Sequence, residues 1–230
     1  MRVVILISGR GSNMKALLET RFPADAPVQF ACVISNKVDA AGLQTAVEHG
    51  VPTEVLDHRP FSNRADFDQA LAQRIDAYQP DIVILAGFMR VLTEDFVRHY
   101  ENRLVNVHPA LLPAFPGLDT HARAIAAGVK LHGCTVHFVT PEVDAGPIIA
   151  QAAVPVLADD TPDRLAARVL RQEHQVFPMV VGWLAQGRVR VCENGTVSVS
   201  LDPLTDLKAN AEAVLISPFV APVLPVARPG

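Results

Sequence analysis

The sequence predicts an α/β fold: a mostly parallel central sheet with helices on both faces, and antiparallel strands in its C-terminal half. Three features carry that reading. Residues 3–7 (VVILI) and 81–86 (DIVILA) are short apolar runs rich in β-branched side chains, the pattern of strands buried on both faces. Between them strand-like and helix-like segments alternate, as they do in a parallel sheet covered by helices. Beyond residue 130 two strand-like segments follow one another, and Asn194-Gly195 then marks a tight hairpin.

Each element has a local cause. The 3–7 strand leads into a glycine-containing loop and a short helix from about Asn13. Residues 28–35 read as the second strand. Residues 40–49 read as a helix stopped by Gly50, with Pro52 just beyond. Residues 51–56 follow as the third strand. Asn63 caps a longer helix in which Phe67, Leu71, Ile75 and Tyr78 recur at helical spacing, and Pro80 ends it before the 81–86 strand. Thr93 caps a helix to about Tyr100, residues 104–108 form a strand, and a proline-rich loop runs through Gly117. A helix over 120–127 ends at Gly128. In 132–139, Cys134, Val136 and Phe138 alternate with Thr135, His137 and Val139, and 147–156 is the partner strand. Thr161-Pro162 opens a long helix, a cap followed by proline at the first helical position. Residues 188–192 and 196–200 flank the hairpin turn.

The 230 residues suit one large α/β domain, read over 1–202. Residues 203–230 hold five of the 18 prolines and read as an irregular tail. A chain of this length buries about 70% of the surface its unfolded form exposes, so it needs no staples. With half its residues apolar and 19% charged it is not a disordered chain. A net charge of −4 speaks against a nucleic-acid coat or a polybasic membrane binder. Cys32, Cys134 and Cys192 are far apart and never spaced as CxxC, which indicates neither a disulfide framework nor a zinc site; a reducing, cytoplasmic setting and no metal are expected. The 3–7 run is too short for a signal-peptide core, and no stretch reaches the roughly 18 apolar residues of a membrane helix.

Five groups of residues carry candidate chemistry. Gly11, Ser12 and Asn13 sit between a buried strand and a helix, where backbone amides and the helix dipole favour an anion, with Arg10 and Lys15 adding positive charge. Met14 occupies the third glycine position of a dinucleotide fingerprint, so a single phosphate fits better than a dinucleotide; a plain tight turn fits the same residues. Asn106 and His108 stand two apart at a strand end and therefore share a face. An amide donor beside a titratable imidazole suits a reaction whose carbonyl becomes an oxyanion, while a capped strand end with a satisfied histidine is the simpler alternative. Asp144, in the 141–147 loop, could hold and charge a histidine or simply make a turn before Gly146. Glu173 falls on the apolar stripe of Leu165, Val169, Val176 and Val180, where a carboxylate needs a partner or ligand unless a kink at Pro178 turns it outward. Arg64 and the 86–92 run (AGFMRVL) could serve a substrate carboxylate and a flat heterocycle, or be a solvated arginine and a core edge.

In order and relative spacing, the segments VVILISGRGSNMKALLE, VISNKVDAAGL, DIVILAGFMRVL, LVNVHPALLPAFPGLDTH, HGCTVHFVTPEVDAGPIIAQ and RVLRQEH resemble those of the folate-dependent glycinamide ribonucleotide formyltransferases. The resemblance implies a Rossmann-like formyltransferase fold, with 1–100 as the half that binds the nucleotide phosphate and 101–202 as the catalytic and folate-binding half. It implies that Gly11, Ser12 and Asn13 hold the ribonucleotide phosphate, and that Glu173, with Leu170, Arg171 and Gln172, contacts the glycinamide substrate. Arg64, Met89, Arg90, Val91, Leu92, Asn106, Thr140, Pro141, Glu142, Val143 and Asp144 would bind 10-formyltetrahydrofolate. Asn106, His108 and Asp144 would do the chemistry, without a metal. Ala110 stands where serine is usual in the HPSLLP segment, and Arg10 where another polar residue is common. The tail beyond Asp202 lies outside the match.

The implied partners are small molecules, with no nucleic acid and no membrane, and the expected state is a monomer or weak homodimer. Methionyl-tRNA formyltransferase shares the Asn-His-Asp set but normally adds a C-terminal nucleic-acid-binding barrel, whereas about 45 residues follow Trp183 here. Formyltetrahydrofolate hydrolase normally carries an N-terminal regulatory domain, and this sequence opens on its first strand. A non-catalytic nucleotide-binding protein would need only the Gly11 loop.

Overall fold

A computed structural model describes residues 1–200; Leu201, Asp202 and the 203–230 tail lie outside the described residues. The main sheet has seven strands in the order β3-β2-β1-β4-β5-β6-β7. These are β1 (Arg2–Ile7), β2 (Gln29–Ser35), β3 (Thr53–Val55), β4 (Ile82–Leu85), β5 (Leu104–His108), β6 (Leu131–Phe138) and β7 (Ile148–Pro155). The strands from β1 to β5 are parallel, and β6 and β7 run antiparallel. A separate hairpin joins β8 (Val189–Val191) to β9 (Val197–Val199). The helices are α1 (Ser12–Glu19), α2 (Gly42–Glu48), α3 (Arg64–Asp76), α4 (Glu94–His99), α5 (Thr120–Ala126) and α6 (Pro162–Ala185).

Alternation along β1 sorts the helices onto the two faces. Val3, Ile5 and Ile7 join Met14 and Leu17 of α1, Ala46 of α2, Ala124 of α5 and the inner face of α6 in one core. Val4 and Leu6 join Phe67, Leu71 and Ile75 of α3 and Phe96 and Val97 of α4 in the other. The β-branched run over 3–7 is therefore buried on both sides, as a central parallel strand must be. Tyr78 lies beyond the end of α3, so the predicted stripe is one residue too long. Asn63 and Thr93 cap α3 and α4 through their side chains, as expected.

Pro178 lies inside α6, which nonetheless runs unbroken to Ala185. The outward turn of Glu173 does not occur, and the side chain is buried among Val169, Val176 and Phe177 of its own helix. Among the described residues no helix is long and apolar enough to cross a membrane.

Candidate active site

The sheet order reverses between β1 and β4, and in open α/β sheets ligands bind beyond the carboxyl ends of strands at such a point. Gly11 to Asn13 follow β1, residues 89–92 follow β4, Asn106 and His108 end β5, and Asp144 lies on the loop between β6 and β7. Asn106 and His108 of β5 share a face, while Val105 and Val107 point into the core on the other side. Across the antiparallel seam Asn106 lies opposite His137, and His108 opposite Thr135.

The pairing makes a connected polar cluster. Asn106 Nδ2 is 3.2 Å from His137 Nε2, and His137 Nδ1 is 2.9 Å from the Phe138 carbonyl oxygen. A carbonyl only accepts, so Nδ1 carries the ring proton and Nε2 is left to accept from the Asn106 amide. Burial holds the His137 pKa below its ordinary value and keeps the ring neutral, in spite of the Asp144 carboxylate 3.9 Å away. One Asn106 amide hydrogen is thereby committed and the other remains for a ligand.

His108 is buried between two acceptors. Its Nδ1 lies 3.3 Å from Asp144 Oδ2, and its Nε2 is 2.9 Å from the Phe115 carbonyl. The same Asp144 oxygen accepts from the Gly117 N–H at 2.8 Å. Asp144 does meet His108, and residues 115–117 tie both ends of that pair. Phe115 adopts φ 55° and Asp144 φ 54°, left-handed values that non-glycine residues adopt rarely. Gly146 allows the Asp144 loop to lie against β6, because a Cβ there would meet the Phe138 carbonyl oxygen at 1.8 Å. The 109–113 segment is held through its backbone: Thr135 Oγ1 donates to the Ala110 carbonyl (2.7 Å) and accepts from the Leu112 N–H (3.0 Å). Ala110 is fully buried, so the position asks nothing polar of its side chain.

At the phosphate candidate, Gly11 is the N-cap of α1 at φ 69°, and the first turn receives no side-chain cap. The N–H groups there suit an anion. Gly11 has a second reason to be glycine, because a Cβ would meet Gly42 Cα at 3.2 Å. Lys15 does not add charge to the loop, since it pairs with Glu19 one turn along α1. Arg10 is exposed. Asn13 and Glu173, 160 positions apart, meet inside the fold: Asn13 Nδ2 donates to Glu173 Oε2 at 2.7 Å. Burial raises the Glu173 carboxyl above the usual range, and the Asn13 bond opposes this in part. Leu170 and Gln172 are half-buried beside it, and Arg171 is exposed.

Arg64, the first residue of α3, is exposed. Met89 and Val91 are exposed, Leu92 is buried, and the Arg90 guanidinium lies 4.7 Å above the Phe67 ring. In the 140–144 loop Thr140 Oγ1 donates to the Glu142 carbonyl (3.2 Å), and Pro141, Glu142 and Val143 face solvent. A cleft of about 390 Å³ between residues 20–23 and the end of α6 contains none of the sequence-selected residues. Among the described residues no group of His, Cys, Asp and Glu is arranged to hold a metal ion.

His137, Thr135, Phe115 and Gly117 belong to the polar cluster without having been selected from sequence. The alternation in 132–139 is the available signal for Thr135 and His137, since it sets them opposite the core-facing Cys134 and Val136.

Residues 1–181 match the family model described as formyl transferase. The chain belongs to the formyl transferase family. It is 47% identical to a phosphoribosylglycinamide formyltransferase of Escherichia coli (strain K12) over 194 residues, which is 84% of this chain and 92% of that protein. It is 45% identical to the human trifunctional purine biosynthetic protein adenosine-3, with 85% of this chain matching 19% of that longer protein. Among solved structures, a glycinamide ribonucleotide transformylase 1 from Symbiobacterium toebii superposes with a TM-score of 0.83 at 46% identity, covering 88% of this chain and 94% of that one. The formyl transferase fold thus accounts for the seven-stranded sheet and its antiparallel C-terminal strands.

Proposed function

We propose that this formyl transferase moves the formyl group of 10-formyltetrahydrofolate to the amine of glycinamide ribonucleotide, giving the N-formyl product and tetrahydrofolate in purine biosynthesis. The observation that carries the reading is the gathering of Asn106, His108 and Asp144 in one buried cluster at the sheet edge. Its substrate half rests on the uncapped amides at Ser12 and Asn13 and on the Asn13–Glu173 pair.

The uncharged substrate amine attacks the formyl carbon, forming a carbon–nitrogen bond and a tetrahedral oxyanion. The free Asn106 amide hydrogen and the His108 ring stabilise that oxygen, which replaces the Phe115 carbonyl as a partner of the imidazole. Collapse breaks the bond between the formyl carbon and the folate nitrogen, and the proton lost by the amine reaches that nitrogen directly or through water. Asp144 holds the ring in place. Gly11, Ser12 and Asn13 hold the phosphate, Glu173 with Leu170, Arg171 and Gln172 receives the glycinamide, and Arg64, residues 89–92 and residues 140–144 hold the folate. No covalent enzyme intermediate and no metal enters the scheme. The activities named for its relatives and the acidic charge balance favour a small-molecule amine over a charged tRNA as acceptor.

Formyl transfer measured side by side with glycinamide ribonucleotide, methionyl-tRNA and water as acceptors tests the proposal. Turnover with the ribonucleotide at least 100-fold above the other two is the expected result, given the roughly 10⁴- to 10⁵-fold discrimination that polar recognition can supply. Faster transfer to tRNA or to water would overturn it.

A further inference from the structure

The connection from β4 to α4 exposes Met89 and Val91, yet its backbone is pinned at both ends by buried side chains. At the start, the Ser8 N–H donates to the Gly87 carbonyl (3.1 Å) and the Met89 N–H donates to Ser8 Oγ (2.8 Å). Ser8 is itself fixed, because its hydroxyl hydrogen goes to Asn36 Oδ1 at 2.6 Å. At the other end the Thr93 N–H donates to Asp68 Oδ2 at 2.6 Å. Midway, Arg90 lies over Phe67, the neighbour of Asp68 on α3.

Asp68 is the informative residue. It is 2% exposed, and its second oxygen, Oδ1, has no hydrogen-bond partner among the described residues. A carboxylate buried against a single backbone N–H is costly, and an apolar side chain would pack at that position with less penalty. Helix α4 does not need it as a cap, since Thr93 caps the Phe96 N–H and Glu94 and Asp95 already occupy the first turn. What Asp68 does uniquely is fix where the exposed loop ends, just as Ser8 fixes where it begins.

We propose that Ser8 and Asp68 are positioning residues that hold the backbone of residues 89–92 in the shape that receives the formyl donor, so that donor affinity depends on them and the chemical step does not. The inference rests on the reading of these four residues as part of the folate site. A loop held in its binding conformation beforehand spares the ordering cost that a free loop would incur on binding.

The test uses the full chain with Ser8→Ala, Asp68→Ala and Asp68→Asn. The amide introduced by Asp68→Asn keeps an oxygen for the Thr93 N–H, so that variant should behave as the parent does. Without ligand, amide exchange at Met89 should accelerate in Ser8→Ala, and exchange at Thr93 in Asp68→Ala. Titration with 10-formyltetrahydrofolate should then show roughly 10-fold weaker binding in both alanine variants, with ribonucleotide affinity and saturated turnover within about 2-fold of the parent. Unchanged exchange would overturn the pinning. Faster exchange with unchanged donor affinity, or an equal loss for both ligands, would overturn the positioning role. Should Asp68→Ala fail to fold, Ser8→Ala carries the same split alone. A parent that binds no folate donor overturns the functional reading and this inference with it, whereas a parent that binds it while the split is absent overturns this inference only.

Discussion

His137 has no freedom of tautomer, and that constraint passes to the residue it touches. Its Nδ1 proton is committed to the Phe138 carbonyl, so its Nε2 accepts from Asn106 and sets which way the amide faces. Asn106→Ala and His108→Ala should each lose roughly 100- to 1,000-fold in turnover, the usual cost of removing one oxyanion donor, while both substrates still bind. His137→Ala should lose about 10-fold. The Asn106→Ala/His137→Ala double variant should be no slower than Asn106→Ala alone, because neighbours acting through one another are not additive. Additive losses in the four turnover numbers would mean that His137 acts independently of Asn106.

At this scale Asn106, His108 and Asp144 were legible because strand alternation and loop position are written in the sequence. Phe115 and Gly117 were not. They contribute a carbonyl and an N–H whose direction depends on a left-handed φ at a phenylalanine, which no residue type announces.

Among elements, the meeting of α1 and α6 gives the proposed substrate half of the site its character. Glu173 was legible as an anomaly on an apolar stripe, but its partner was not, since Asn13 reaches it only through the packing of the two helices. Burial raises the folded-state pKa of Glu173 above the unfolded value of about 4.5. The folded protein therefore prefers the protonated carboxyl. The contribution of this group to stability is greatest below pH 4.5 and declines as pH climbs through the folded pKa. Glu173→Gln keeps an oxygen for Asn13 and removes that penalty. The variant should melt above the parent at pH 8, with the difference vanishing near pH 4. Ribonucleotide affinity should fall in the same variant. A melting advantage that persists at pH 4 would assign the effect to packing instead of charge.

Gly11 illustrates a limit of reading a loop by its ligand. Its left-handed backbone and its approach to Gly42 would require glycine even without a phosphate. Gly11→Ala should therefore lower stability by about 1–2 kcal/mol, the penalty of a left-handed conformation for an L-residue, as read from denaturant midpoints without any ligand present. Ser12→Pro would probe the anion site more directly. It deletes one N–H at the first helical position, so ribonucleotide binding should weaken more than folate binding; because proline disfavours the ψ of 34° that Gly11 adopts before it, the midpoint should fall as well.

For the molecule as a whole, two cores share one sheet, and its strand β6 carries a buried histidine. His132 is 1% exposed and packs edge-on against Phe115 and His121, with ring centroids 5.8 and 5.4 Å away. Burial, with His121 adding to it, pushes its pKa down to about 4. The unfolded chain takes up the proton near pH 6.5 and the folded chain does not until about 4, so stability should fall as pH drops through that window and level off below it. The loss should not exceed roughly 3.5 kcal/mol, since each pH unit separating the folded and unfolded titrations is worth about 1.4 kcal/mol. His132→Phe should flatten the slope of unfolding free energy between pH 6.5 and 4. An unchanged slope would place the sensitive group elsewhere.

The overall architecture was legible because both periodicities stand out: the β-branched runs of β1 and β4, and the helical stripes of α3 and α6. What pattern alone left open was pairing across distance, such as which residue of β6 would face Asn106.

That pairing ties correctness of folding to competence in chemistry. Asn106 and His108 occupy even positions of β5, while Val105 and Val107 fill the core from odd ones, and β6 opposes them in matching order. A slip of one residue along the seam would exchange the two sets completely, sending polar groups into the core and valines into the crevice. A half-correct version of this molecule is thus excluded: a misaligned chain would lose its stability together with its reactive groups, so no population of well-folded but inert protein can accumulate from errors at this seam.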